Sequence, residues 1–277
     1  MTPPAPEATP GSLRLAAAGP GQVSEARRLA TLLAVPFVDD VAASSWPTTG
    51  GTLIVVTDAG LEVRFQEADA RQQTRVDAAA CMQRAVRRAR GDLGRDDLLL
   101  QAVGLRPDPG HRILDATAGL GRDALLLAAT GFDVTAWERS PVVRLLLEQG
   151  LVQTAAENDR LARVIATRLH IVGADALDEL ARAGSAAPEG RDRFEVVYLD
   201  PMHPPRTKSA RVRKELRALQ RLVGADADAD GLLEPALALA RRRVVVKRPT
   251  HGKPLAGHEP HRRLRGQKVR FDIYDVS

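Results

Sequence analysis

The chain has 277 residues, 44 % hydrophobic but only 3 % aromatic, so its core must be built mainly from Leu, Val and Ala. Its one cysteine, Cys81, excludes an internal disulfide and fits a reducing compartment, and no apolar run approaches the ~18 residues of a membrane span. The net charge of +5 is unevenly spread: residues 1–70 carry four basic and eight acidic side chains, the remainder 36 basic and 27 acidic, and a mildly acidic head on a basic body points to polyanion binding by that body.

Residues 1–11, rich in Pro, Ala and Thr and without the basic and apolar regions of a signal peptide, read as a disordered tail of a cytoplasmic protein. Residues 12–70 read as a small α+β domain. Its strands are expected at Leu13–Ala17, Pro36–Val38, Thr52–Val56 and Leu61–Phe65, the last alternating with period two, and a helix runs to Leu33 with Ser24 as N-cap.

Residues 71–277 read as a second, larger domain. It opens with an increasingly basic helix from Arg75 to about Arg90, a loop Gly91–Asp97 whose last residue is an N-cap, and a helical Leu98–Val103. A turn at Pro107–Gly110 leads into alternation. Strands are expected at Arg112–Asp115, Phe132–Glu138, Leu169–Val172, Phe194–Leu199, Arg243–Lys247 and Val269–Tyr274. Helices are expected at Asp123–Thr130, stopped by Gly131, from Ser140-Pro141 to about Glu157, and at Leu232–Ala240. Near-continuously apolar strands separated by helices predict a parallel, doubly wound α/β sheet.

In such a sheet a ligand sits beyond the carboxyl ends of the strands, where their order reverses. The first strand ends in Asp115 and a small-residue turn through Gly119 and Gly121; the second ends in Glu138, nineteen residues beyond Gly119 and suited to a ribose diol. Asp175 follows the third and Asp200-Pro201 the fourth. Four carboxylates at four strand ends predict a nucleoside crevice. Gly119–Ala124 matches the G-x-G-x-x-A pattern, which serves both NAD and S-adenosylmethionine sites. Arg122 and Asp123 favour the second, because a carboxylate there repels a pyrophosphate but can hold an ammonium.

Asp200-Pro201-Met202-His203-Pro204-Pro205 is a loop stiffened by proline, resembling the Asp/Asn-Pro-Pro-aromatic loop of methyltransferases that act on exocyclic amino groups. Two basic stretches are expected at the crevice mouth: residues 206–217 hold six basic side chains against one acidic, and residues 241–270 hold eleven against Glu259 alone. His203, His251, His258 and His261 lack metal-ligand spacing, so no metal is expected.

Several longer motifs are similar to those of the bacterial ribosomal RNA small subunit methyltransferase J family. They are Asp115–Ala124, Glu138–Val143, Tyr198–Met202, Lys208–Ala210, Lys214-Glu215, Asp228–Pro235, Val244–Pro249 and Arg270–Tyr274, in consistent order over residues 76–274. His203 stands where the family often has Phe. The resemblance implies a Rossmann-like S-adenosylmethionine-dependent methyltransferase fold behind the small N-terminal α+β unit. It also implies transfer of a methyl group to N2 of a guanine in 16S ribosomal RNA, free or within the small ribosomal subunit, with no DNA or membrane partner. It places the cofactor contacts on Arg122, Asp123, Glu138, Arg139, Asp175, Ala176 and Asp200, beside Asp115 and Gly119 from the turn, and makes Asp200 the catalytic residue. The residues by themselves also admit an NAD-dependent oxidoreductase or a non-catalytic RNA-binding protein.

Overall fold

The computed structural model describes residues 13–39, 51–66, 73–77, 97–108, 110–156, 160–185, 194–201 and 228–276. The expected tail, the basic helix beyond Asp77 with Cys81, the loop before Asp97, Met202–Pro205 with His203, and the basic stretch 206–217 lie outside the described residues. The chain divides into two compact units.

The first unit holds a mixed five-stranded sheet in the order β2-β1-β3-β4-β5. Its strands are β1 (Leu13–Ala17), β2 (Phe37–Val38), β3 (Thr52–Thr57), β4 (Gly60–Gln66) and β5 (Gln73–Asp77). β1 is parallel to β2 and β3, and β3, β4 and β5 are antiparallel. Helix α1 (Val23–Leu33) packs Ala26, Leu29 and Ala30 inward. Ser24 lies inside this helix rather than capping it: a tight turn at Pro20–Gln22 leads directly in, so Gln22 takes the cap position.

Two further features differ from the sequence expectation. The helix expected from Arg75 begins instead as strand β5, because pairing with β4 over residues 73–77 outweighs the local helical pattern and carries the sheet past residue 70. And β4, whose alternation implies one wet face, is buried on both. Glu62 and Arg64, 5 % and 6 % exposed, neutralise each other at 3.2 Å on the polar face.

The second unit is built on a seven-stranded sheet. In chain order it comprises α2 (Leu98–Val103), β6 (Arg112–Asp115), α3 (Arg122–Thr130) and β7 (Asp133–Trp137). Helix α4 (Pro141–Ala156) follows, residues 140–153 grouping with the first unit, and then α5 (Arg160–Arg168), β8 (Leu169–Val172), α6 (Ala176–Ser185) and β9 (Phe194–Leu199). The chain closes with α7 (Leu233–Leu239), β10 (Ala240–Pro249), β11 (Arg262–Arg265) and β12 (Val269–Asp275). The expected caps hold at α2, where the Asp97 carboxylate accepts from Leu99 N–H at 2.9 Å, and at α4, where Ser140 Oγ accepts from Val143 N–H at 3.4 Å.

The strand order is β11-β12-β10-β9-β6-β7-β8. β8, β7, β6, β9 and β10 are parallel; β12 is antiparallel to β10, and β11 to β12. The chain leaves β6 toward β7 and β8, then crosses to β9 on the other side of β6. The switch point therefore lies at the carboxyl ends of β6 and β9. One face of the sheet packs Leu114, Val197, Leu199, Val244 and Val246 against Leu180, Leu233, Ala236 and Leu239. No described helix is long and apolar enough to cross a membrane.

The arginine-rich β11 has no apolar alternation and exists through pairing with β12. That edge is secured from within. The Arg270 guanidinium, 4 % exposed, donates to both carboxylate oxygens of fully buried Asp272 at 2.7 and 2.9 Å. Its Nη1 donates to the carbonyls of Pro249, Thr250 and Gly252 at 3.3, 2.9 and 2.7 Å, tying the loop after β10 to β12. Removing one partner strands the other charge in the interior, so Arg270→Ala is expected to lower stability by about 3–5 kcal/mol in denaturant unfolding.

Candidate active site

The turn after β6 is stitched to both neighbouring strands. Ala116 N–H donates to Tyr198 O at 3.1 Å and Ala118 N–H to Trp137 O at 3.0 Å. Gly119 and Gly121 adopt φ of 54° and 68°, the left-handed region where a Cβ costs roughly 1–2 kcal/mol. Gly121 takes the N-cap position of α3, which sets that helix N-terminus beside the strand ends, with Arg122 and Asp123 as its first residues.

Glu138 follows β7 and is buried at 6 % exposure. Its N–H donates to Val172 O at 3.1 Å, and its Oε2 accepts from Gly119 N–H at 2.9 Å. The acid and the glycine turn, nineteen residues apart, are thus in direct contact. Asp175 follows β8 and caps α6, accepting from Leu177 N–H at 2.9 Å, so Ala176 is that helix's first residue. Arg139 Nη1 lies 3.9 Å from Asp175 and 3.4 Å from Asp228.

Asp115, Asp123 and Asp200 converge at the switch point around a cation. Lys247, near the carboxyl end of β10, places Nζ 2.6 Å from Asp123 Oδ2 and 2.9 Å from Asp200 Oδ2. Asp123 Oδ2 also accepts from the hydroxyl of fully buried Tyr198 at 2.6 Å. The backbone N–H of Asp200 donates to Thr117 Oγ1 at 2.6 Å, fixing the first residue after β9 to the turn after β6.

The electrostatics follow from burial and this clustering. Burial alone would lower the Lys247 ammonium, but Asp200 and Asp123 outweigh it and hold the group above the ordinary lysine range. Burial pushes the Asp115 carboxyl well above the usual carboxylate range, and the charges of Asp123 and Asp200 add to it against the opposing Thr117 N–H. Burial, then the charge of Asp123, pushes the Tyr198 hydroxyl well above its ordinary value. Among the described residues no group of three or more His, Cys, Asp or Glu is arranged to hold a metal.

The structure brings Asp115, Gly119, Asp123, Glu138 and Asp200 to one set of strand ends, with Arg139, Asp175 and Ala176 at the end of β8 and start of α6. Sequence reasoning gave no role to Lys247, Tyr198, Thr117 or Asp228. Lys247 had a visible signal: it is the charge that ends the apolar run Val244–Val246.

A doubly wound sheet in this order, with a glycine turn after the first strand and acids at the next strand ends, defines the S-adenosylmethionine-dependent methyltransferase class. Residues 44–276 match the family described as "Putative SAM-dependent methyltransferase". A solved SAM-dependent methyltransferase from Neisseria gonorrhoeae is similar over 95 % of both chains, with a TM-score of 0.67 and 27 % identity. Ribosomal RNA small subunit methyltransferase J of Thioalkalivibrio sulfidiphilus is 41 % identical over 90 % of this chain and 92 % of its own. The Pseudomonas aeruginosa protein of that name is 39 % identical over 95 % and 94 %, and the Shewanella loihica one 48 % identical over 65 % and 67 %. The chain belongs to the ribosomal RNA small subunit methyltransferase J family. That membership sets aside the NAD-dependent oxidoreductase admitted by the glycine pattern alone.

The raised carboxyl of Asp115 has a measurable sign. The folded chain keeps this proton to higher pH than the unfolded chain, whose aspartates titrate near the ordinary 3.8, so folding takes up a proton above that value. Stability conferred by this site falls as pH rises from about 4. Asp115→Asn, which retains the acceptor for Thr117 N–H, is expected to flatten that part of the wild-type profile in unfolding experiments between pH 4 and 7. Parallel profiles would show that Asp115 does not carry the effect.

Proposed function

We propose that this chain transfers a methyl group from S-adenosylmethionine to the exocyclic N2 amino group of a guanine in 16S ribosomal RNA, in the cytoplasm. The relatives' name, ribosomal RNA small subunit methyltransferase, supports the substrate class. The observation that carries the chemistry is Asp200, held at the end of β9 by Thr117 and Lys247.

The residues present suit the methyl donor. Glu138, against the glycine turn, is the acceptor for the ribose hydroxyls. Asp175 and Ala176 border the adenine, and Arg139 steadies Asp175 from the side. Arg122 and Asp123, at the start of α3, take the amino-acid tail, with Asp115 and Gly119 closing the turn beneath. A carboxylate set of this kind matches a diol and an ammonium and disfavours a pyrophosphate. When bound, S-adenosylmethionine supplies an electrophilic methyl group, and transfer requires no covalent enzyme intermediate.

The guanine amino nitrogen is a poor nucleophile because its lone pair is delocalised into the ring. Asp200 accepts a hydrogen bond from one of its N–H groups, orients the nitrogen, and stabilises the positive charge that develops there until the nitrogen sheds a proton during or after transfer. Lys247 keeps the Asp200 carboxylate in one position, and Thr117 fixes its backbone.

Asp200→Ala is expected to fold and bind RNA while losing about 10²-fold or more in kcat, read as labelled methyl incorporation into 16S RNA. Full activity in that variant would overturn the assignment. Lys247→Met, which frees Asp200 without removing it, is expected to lower kcat by about tenfold or more.

A further inference from the structure

Residues 241–270 form one basic run in sequence, and the fold sorts its charges into two groups. Arg241 and Arg242 pair with Glu195, Arg243 and Arg262 with Asp275, and Arg263 with Glu259 and Asp272. Arg270 is held by Asp272, and buried Arg248 donates to the Lys253 carbonyl. Lys247 serves the active site. Three cations are left: Lys253, Arg265 and Lys268 are exposed and have no carboxylate partner among the described residues.

These three share one edge of the sheet. Lys253 lies four residues beyond the end of β10, and Arg265 ends β11, paired with Arg270 and so level with Arg248. Lys268 immediately precedes β12, whose Val269 pairs with Pro249. Since β10 runs parallel to β9, this is the edge that carries Asp200. With neighbouring strands about 4.8 Å apart, the end of β11 lies on the order of 15 Å from the end of β9.

The edge is also rigid. Arg270 gathers the carbonyls of Pro249, Thr250 and Gly252, Thr250 N–H donates to Lys268 O at 3.3 Å, and Gly266 N–H donates to Val269 O at 2.8 Å. The exposed large apolar side chains among the described residues are Leu32, Val152 and Val172, none of them here. A firmly held backbone edge that presents cations and no apolar anchors fits a phosphate backbone rather than a protein surface.

We infer that Lys253, Arg265 and Lys268 form a docking rim for the phosphate backbone of the RNA whose guanine is held at Asp200. The inference rests on the RNA methyl-transfer reading above. The rim positions the strand and carries no sequence information itself.

The test compares two charge-matched double variants of the full chain. One is Lys253→Gln with Lys268→Gln; the other, at the opposite edge, is Arg241→Gln with Arg242→Gln. Affinity and KM for a 16S RNA transcript are measured across a salt series, alongside kcat and calorimetric affinity for S-adenosylhomocysteine. The rim pair is expected to weaken RNA affinity and raise KM by about tenfold or more. It should also make the log–log salt slope shallower by between one and two, leaving kcat and S-adenosylhomocysteine binding at wild-type values. The opposite-edge pair is expected to match wild type throughout. A wild-type salt slope in the rim pair, or equal weakening in both pairs, would overturn the rim. A wild-type protein that binds S-adenosylhomocysteine yet methylates no RNA would instead remove the reading on which the rim rests.

Discussion

A single ammonium reconciles the charges at the centre of this molecule. Asp115, Asp123 and Asp200 are brought together by the ends of β6 and β9 and the start of α3, and three carboxylates so close would repel one another. Two different solutions coexist. Asp115 is buried so fully that it resists ionisation, while Asp123 and Asp200 share the Nζ of Lys247. The strand that supplies the lysine is the fifth of the parallel set, so the site is complete only when β10 has joined β9.

Around that centre, the glycine turn and the acids divide the work. Gly119 and Gly121 take backbone conformations that leave the turn without side-chain bulk, and Glu138 reaches across from β7 to bind it. Tyr198 comes from the strand that presents Asp200 and grips the carboxylate that Lys247 also holds. The start of α3 and the end of β9 are therefore cross-linked: Asp123 is bound to the same lysine as Asp200. Changes to one half of the site are felt by the other.

Much of this was legible in the sequence because parallel strands are apolar along their whole length and end in abrupt polar punctuation. Asp115, Glu138, Asp175 and Asp200 stand out for that reason. Lys247 also ends an apolar run, yet its role depends on which strand neighbours which, and that is a property of topology. Tyr198 sits in an apolar strand, and only its hydroxyl partner marks it as part of the site. β5 and β11 were illegible because edge strands are made by their partners rather than by their own pattern, and the buried polar face of β4 because period-two alternation alone does not show the ion pair that allows Glu62 and Arg64 to be buried.

The Arg270 clamp has a consequence for how the protein breathes. Its guanidinium joins β12, through Asp272, to the three carbonyls that follow β10. Edge strands ordinarily fray first, exchanging their amide protons through small local openings. Here the margin formed by β11 and β12 cannot peel away without releasing the segment after β10, and that segment cannot loosen while the guanidinium stays in place. The sheet margin and the strand bearing Lys247 are thus tied into one unit that opens together rather than strand by strand.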